Sequence, residues 1–160
     1  MAATEAFTTR VTLDSLNATR ALAGRIASGL CNGTAVALEG DLGAGKTALA
    51  RGILEALGVT EAVPSPSFTL VQIYETPRFP VFHYDLYRIE KPDELRELAL
   101  DDALTEGVAL IEWPERLEQW PEDALRVRLA IMNEGVRRAD ISGPARWAEF
   151  LASDTDGQRG

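Results

Sequence analysis

Between Gly40 and Thr47 the chain reads GDLGAGKT, the spacing G-x-x-x-x-G-K-[S/T], in a sequence that has 14 arginines and only two lysines. Glycines at 40, 43 and 45 let a backbone fold so that successive N–H groups point into one concavity, and a helix starting directly afterwards adds its positive end. A lysine at 46 supplies a compact, mobile charge for β and γ phosphate oxygens, where arginine's rigid fork is a poorer match. The Thr47 hydroxyl suits magnesium. This predicts nucleotide binding by Asp41, Leu42, Gly43, Ala44, Gly45, Lys46, Thr47 and Ala48, with a glycine turn matched by chance as the competing account. No N-K-x-D tetrapeptide for guanine occurs, so adenine is favoured.

A metal-bound triphosphate also needs an acid at the end of a neighbouring buried strand. The run VALIE delivers Glu112 after four apolar residues, and VFHYD ends on Asp85. Both are candidates for holding magnesium or its water shell, and Asp85 also for orienting the attacking water; a strand-end cap or a solvent-facing acid is the plainer account of each. Ser65, Ser67 and Thr69 stand in the proline-bounded SPSFT, where a segment can order on sensing a γ-phosphate or simply make turns. His83, the only histidine, reads as a packed, hydrogen-bonded strand residue rather than a catalyst. Trp113, directly after Glu112, is equally core or contact.

These residues need elements to hold them. An extended FTTRVTL precedes a helix from a cap at Asp14 or Ser15 to about Leu30, with Leu22, Ile26 and Leu30 on one face. TAVALEG reads as a buried strand, and KTALARGILEALG as a helix closed by Gly58. After the proline-punctuated VPSPSF, the runs FTLVQIYE and VFHYDLYRI predict a hairpin. KPDELRELALDDAL predicts a helix with Pro92 at its start, GVALIEW a buried strand broken off at Pro114, LRVRLAI and VRRADISG a second hairpin about MNEG, and ARWAEFLA a last helix. The alternation predicts an α/β fold, one P-loop domain over residues 1–152 with a mixed sheet and helices on both faces, and a polar tail over 153–160 expected to be disordered.

Composition narrows the classes. With 160 residues, one compact domain is expected. No apolar run could cross a membrane, no leader-like start is visible in MAATEAFTTR, and the single cysteine, Cys31, allows neither an internal disulfide nor a zinc cluster. A cytoplasmic setting fits. The formal net charge of −9 repels nucleic acid.

The blocks LEGDLGAGKT, SPSFTLV, HYDLYRI and LIEWPERL, in this order, resemble the TsaE family, formerly YjeE, over almost the whole chain. The resemblance implies a P-loop ATPase that works with the TsaD and TsaB proteins in threonylcarbamoyl-adenosine modification of tRNA. It implies phosphate and magnesium binding by Lys46 and Thr47, magnesium binding by Glu112, a requirement for Asp85 in hydrolysis, and a functional role for Trp113. Arg137, after the last hairpin turn, is assigned near the nucleotide by the same likeness. Two positions depart from the family pattern: Ser67 stands where S-P-T is usual, and Ala18-Thr19 replaces an E-T pair.

The expected activity is slow Mg-dependent ATP hydrolysis that partners accelerate, with ATP and Mg2+ as cofactors and tRNA met only through the complex. A small-molecule kinase and a non-hydrolysing nucleotide-sensing module remain as alternatives. The kinase has little room for a lid, since only 48 residues follow Glu112.

Overall fold

A computed structural model of the chain describes residues 6–60, 70–90, 99–117, 119–133 and 135–152. The expected helix start at Pro92 and the polar tail lie outside these residues. Seven strands form one mixed sheet in the order β1-β7-β6-β2-β5-β4-β3. They are β1 (Ala6–Leu13), β2 (Ala35–Glu39), β3 (Val71–Tyr74), β4 (Val81–Asp85), β5 (Val108–Glu112), β6 (Leu125–Asn133) and β7 (Val136–Pro144). Pairing is parallel through β6-β2-β5-β4 and antiparallel at both flanks.

The centre of the sheet is apolar on both sides, which is why β2 and β5 read as unbroken hydrophobic runs. Along β5, Val108 and Leu110 enter one core cluster while Ala109 and Ile111 enter the other. The first cluster is covered by helices α1 (Leu16–Ser28) and α2 (Lys46–Ala56), the second by α3 (Leu100–Glu106). Helices therefore cover both faces, as the alternation predicts. The short α4 (Ala148–Leu151) buries Leu151 and follows the fully buried Trp147. Among the described residues no helix is long and apolar enough to cross a membrane.

Local chemistry accounts for the helix ends. Ser15, not Asp14, caps α1: its Oγ accepts from the Ala18 N–H at 3.1 Å. Gly45 precedes α2 with φ of 109°, a left-handed conformation that a glycine adopts freely. The first hairpin is shorter than its sequence suggests. Leu70, with φ of 70°, bounds β3, and the turn that joins the Ile89 N–H to the Leu86 carbonyl ends the extended path after β4.

Candidate phosphate and cation site

Three parallel strands bring the candidate residues to one edge of the sheet. In register, Leu38 of β2 and Asp85 of β4 both stand opposite Glu112 of β5, so two carboxylates end adjacent strands beside the loop that follows β2. Such carboxyl ends are where open α/β sheets bind ligands. The loop from Gly40 to Gly45 turns back onto the sheet with positive φ at Gly40, Gly43 and Gly45. A side chain at Gly40 would lie 2.7 Å from the Leu129 carbonyl oxygen, so this position has no room for one.

Lys46 opens α2 and is 5% exposed. Its ammonium donates to the Gly40 carbonyl at 2.5 Å and to the Asp41 carbonyl at 3.0 Å, and lies 4.2 Å from the centre of the Trp113 ring. Burial lowers its pKa from the ordinary lysine value, opposed by the carboxylates of Glu112, Glu115, Asp85 and Asp41. The Thr47 hydroxyl lies 2.9 and 3.1 Å from the two oxygens of Glu112. Glu112, 2% exposed, also receives His83 Nε2 at 2.7 Å. Asp85, 5% exposed, accepts from the Tyr87 N–H at 3.1 Å.

The result is a cleft of about 300 Å³ with Leu42, Gly43 and residues 45–48 on one wall and Asp85, Glu112, Tyr87 and Trp113 on the other. Larger clefts occur elsewhere, one of about 480 Å³ on the outer face of β1, β6 and β7. There Arg10 pairs with Asp140, and Arg126 and Arg128 share Glu39. In the smaller cleft the buried side chains of Lys46, Asp85 and Glu112 converge. The groups there that could hold a cation are all oxygen donors, a hydroxyl and two carboxylates. That set fits a hard divalent cation such as magnesium, which takes one or two carboxylates and fills its remaining positions with phosphate and water oxygens. Among the described residues no group of three or more potential metal-ligating acids, histidines or cysteines occurs.

Of the nucleotide-site residues expected from the sequence, Asp41 contributes its carbonyl to Lys46 and Ala44 packs beneath the loop in the core. Arg137 Nη2 donates to the Gly43 carbonyl at 3.1 Å, tying the last hairpin to the loop. Ser65, Ser67 and Thr69 lie outside the described residues. Tyr87 was not singled out in the sequence, and His83 was read there as packed and hydrogen-bonded with no partner named. Tyr87 meets the Trp113 ring with centroids 4.8 Å apart, and His83 meets Glu112 across 29 positions of chain. For Tyr87 the signal was present, since it stands two residues after Asp85 at a strand end. For His83 only the burial of an isolated polar residue in an apolar strand hinted at a partner. Trp113 itself has φ of 62°, an unusual backbone for a bulky residue, of the kind that clusters at functional sites.

A buried parallel strand, a glycine loop and a helix that begins Lys-Thr, set in a seven-stranded mixed sheet with helices on both faces, define an α/β domain. More narrowly, the chain belongs to the TsaE family: the family described as "Threonylcarbamoyl adenosine biosynthesis protein TsaE" matches residues 13–139. A relative from Rickettsia prowazekii, named tRNA threonylcarbamoyladenosine biosynthesis protein TsaE, is 39% identical over 142 residues, covering 88% of this chain and 99% of its own. A protein of the same name from Bacillus subtilis is 36% identical over 138 residues, covering 85% and 86%. The crystal structure of YdiB from Bacillus subtilis superposes with a TM-score of 0.77 at 27% identity, covering 99% of this chain and 100% of that one.

Proposed function

We propose that this protein binds and hydrolyses ATP with Mg2+ and thereby supports threonylcarbamoyl-adenosine formation on tRNA, in the cytoplasm, as the partner of the TsaD and TsaB proteins. Membership of the TsaE family supports the pathway. The observation that carries the chemistry is the Thr47 hydroxyl hydrogen-bonded to the buried Glu112 carboxylate, beside the Lys46 ammonium.

The glycine loop offers its backbone N–H groups to the phosphates, and Lys46 exchanges its two carbonyl partners for β and γ phosphate oxygens. Thr47 and Glu112 would hold the cation, with Asp85 alongside, and magnesium there would neutralise charge on the phosphates. Asp85, oriented by the Tyr87 N–H, accepts a hydrogen bond from the attacking water and aligns it with the γ-phosphate. Arg137 braces the loop through Gly43 on the nucleotide side. Catalysis of this kind is positioning and charge neutralisation, and one missing group costs about 10³–10⁵ in rate. Slow turnover by the isolated chain follows, with Trp113, Ser65 and Ser67 coupling the site to partners. The net charge of −9 leaves tRNA to be held by the complex.

The test is inorganic phosphate release from ATP by the wild type and Glu112→Ala, each alone and with the TsaB–TsaD pair. The pair should accelerate the wild type, and Glu112→Ala should lose about 10²–10³ of that rate. Stimulation that survives in Glu112→Ala would mean a nucleotide-sensing module. No response from either protein would remove the partner reading, and phosphate transferred to an added acceptor would make it a kinase.

A further inference from the structure

We propose that His83 is a positioning residue for Glu112: its Nε2–H holds the carboxylate in the orientation that takes the cation. The inference rests on the proposed function and adds a residue to it. His83 lies on β4, two positions before Asp85, and stands opposite Leu110 of β5, so that its ring reaches diagonally to Glu112 on the same face of the sheet. Two residues before it, on that face, the equivalent place is filled by Val81, which belongs to the core beneath α1 and α2.

An imidazole there is 0% exposed, and burying a polar ring is unfavourable unless a hydrogen bond offsets it. The bond that His83 makes is to Glu112 Oε2 at 2.7 Å, while Nδ1 has no partner among the described residues. A side chain kept only for packing would be better aliphatic, as at Val81. The direction of the bond is set by the acceptor: a carboxylate carries lone pairs alone, so the proton sits on Nε2.

Glu112 is thus held at both ends. Thr47 reaches it from α2, and His83 anchors Oε2 from the neighbouring strand. A hydroxyl has one proton and two lone pairs, so Thr47 can keep donating to Glu112 while it offers a lone pair to a cation. Glu112 has lone pairs left over once both donors are satisfied, and the two fixed directions decide where these point. Partners that orient a metal-binding group in this way typically contribute 10–100-fold in metal affinity or activity.

The experiment compares wild type, His83→Leu and His83→Gln. His83→Leu keeps a similar bulk without a donor, and His83→Gln places an amide N–H near the position of Nε2. Mn2+ is titrated into each protein saturated with ADP and followed by electron paramagnetic resonance; ADP affinity is measured separately in EDTA. His83→Leu should bind Mn2+ about 10–100-fold more weakly, with ADP affinity in EDTA within twofold of wild type, and His83→Gln should recover most of the loss. Phosphate release should fall in the same order. In the wild type, 15N spectra of the imidazole should show the proton on Nε2, a readout that needs no variant to fold. Wild-type Mn2+ affinity in His83→Leu, or equal losses in His83→Leu and His83→Gln, would overturn the positioning role and leave the proposed function standing, as would a bare Nε2. Absence of Mn2+ binding by the wild type with ADP would overturn both.

Discussion

Two glycine-to-alanine substitutions on neighbouring helices should move stability in opposite directions. Gly52 lies in α2 where it crosses α1, and a Cβ added there would sit 2.8 Å from the Cβ of Ala23, about 0.6 Å inside the 3.4 Å limit of ordinary contact. The Ala23 methyl is fixed to the α1 backbone and cannot rotate away, so the helices must part. Overpacking of this size costs about 1–3 kcal/mol, against which alanine gains about 1 kcal/mol over glycine in a helix. Gly52→Ala should therefore destabilise by up to about 2 kcal/mol. Gly24, in α1, has nothing within 4 Å of the added atom, so Gly24→Ala should stabilise by about 1 kcal/mol. Urea unfolding with linear extrapolation measures both, and the slopes should match that of the wild type. For a chain of this size each kcal/mol moves Tm by about 2–4 °C. Because α2 begins at Lys46 and Thr47, displacement of the helix should also weaken the 2.9 Å contact of Thr47 with Glu112 and lower nucleotide affinity in Gly52→Ala alone. Equal stabilisation by the two alanines would refute the close helix crossing and the coupling drawn from it.

Lys46→Met should abolish stabilisation by ATP. At 100 times Kd a ligand adds about 2.7 kcal/mol, so the wild type should gain about 5–11 °C in Tm where the variant gains under 2 °C, as read by thermal melts with and without ATP. Tyr84, pushed up to about 12 by burial and by the Asp102 carboxylate, keeps its proton in the folded chain where an unfolded tyrosine loses it near 10. Its contribution is full below pH 10 and is lost as pH rises from 10 to 12, since the unfolded state then binds fewer protons. Tyr84→Phe should remove roughly 1–3 kcal/mol of that alkaline loss, measured by denaturant titrations at pH 9 and 12; identical pH profiles would refute it.

Much of the architecture was legible because its signals are local. The buried runs at β2 and β5, the Ser15 cap and the Lys-Thr helix start are short-range patterns, and each corresponds to an element of the structure. The limits of the first hairpin were not legible. The left-handed Leu70 and the turn after Asp85 interrupt runs whose composition alone favours continued strand. The acids at 85 and 112 could be read as strand ends, but their adjacency required that β4 and β5 be neighbours in parallel register. His83 was read as packed and hydrogen-bonded, which it is; its partner was out of reach of that reading.

The sequence by itself determined the loop, its lysine and threonine, and the strand and helix on either side, because the backbone conformation depends there on eight consecutive residues. Only the tertiary structure decided what faces that loop. It laid β1 along β7 at the far edge, set Trp113 over Lys46, brought Arg137 to the Gly43 carbonyl from 94 positions away, and joined Thr47, Glu112 and His83 from three separate elements. Those contacts come from strand order and shared burial of apolar faces, which are sums over the whole chain and leave no mark in any one segment.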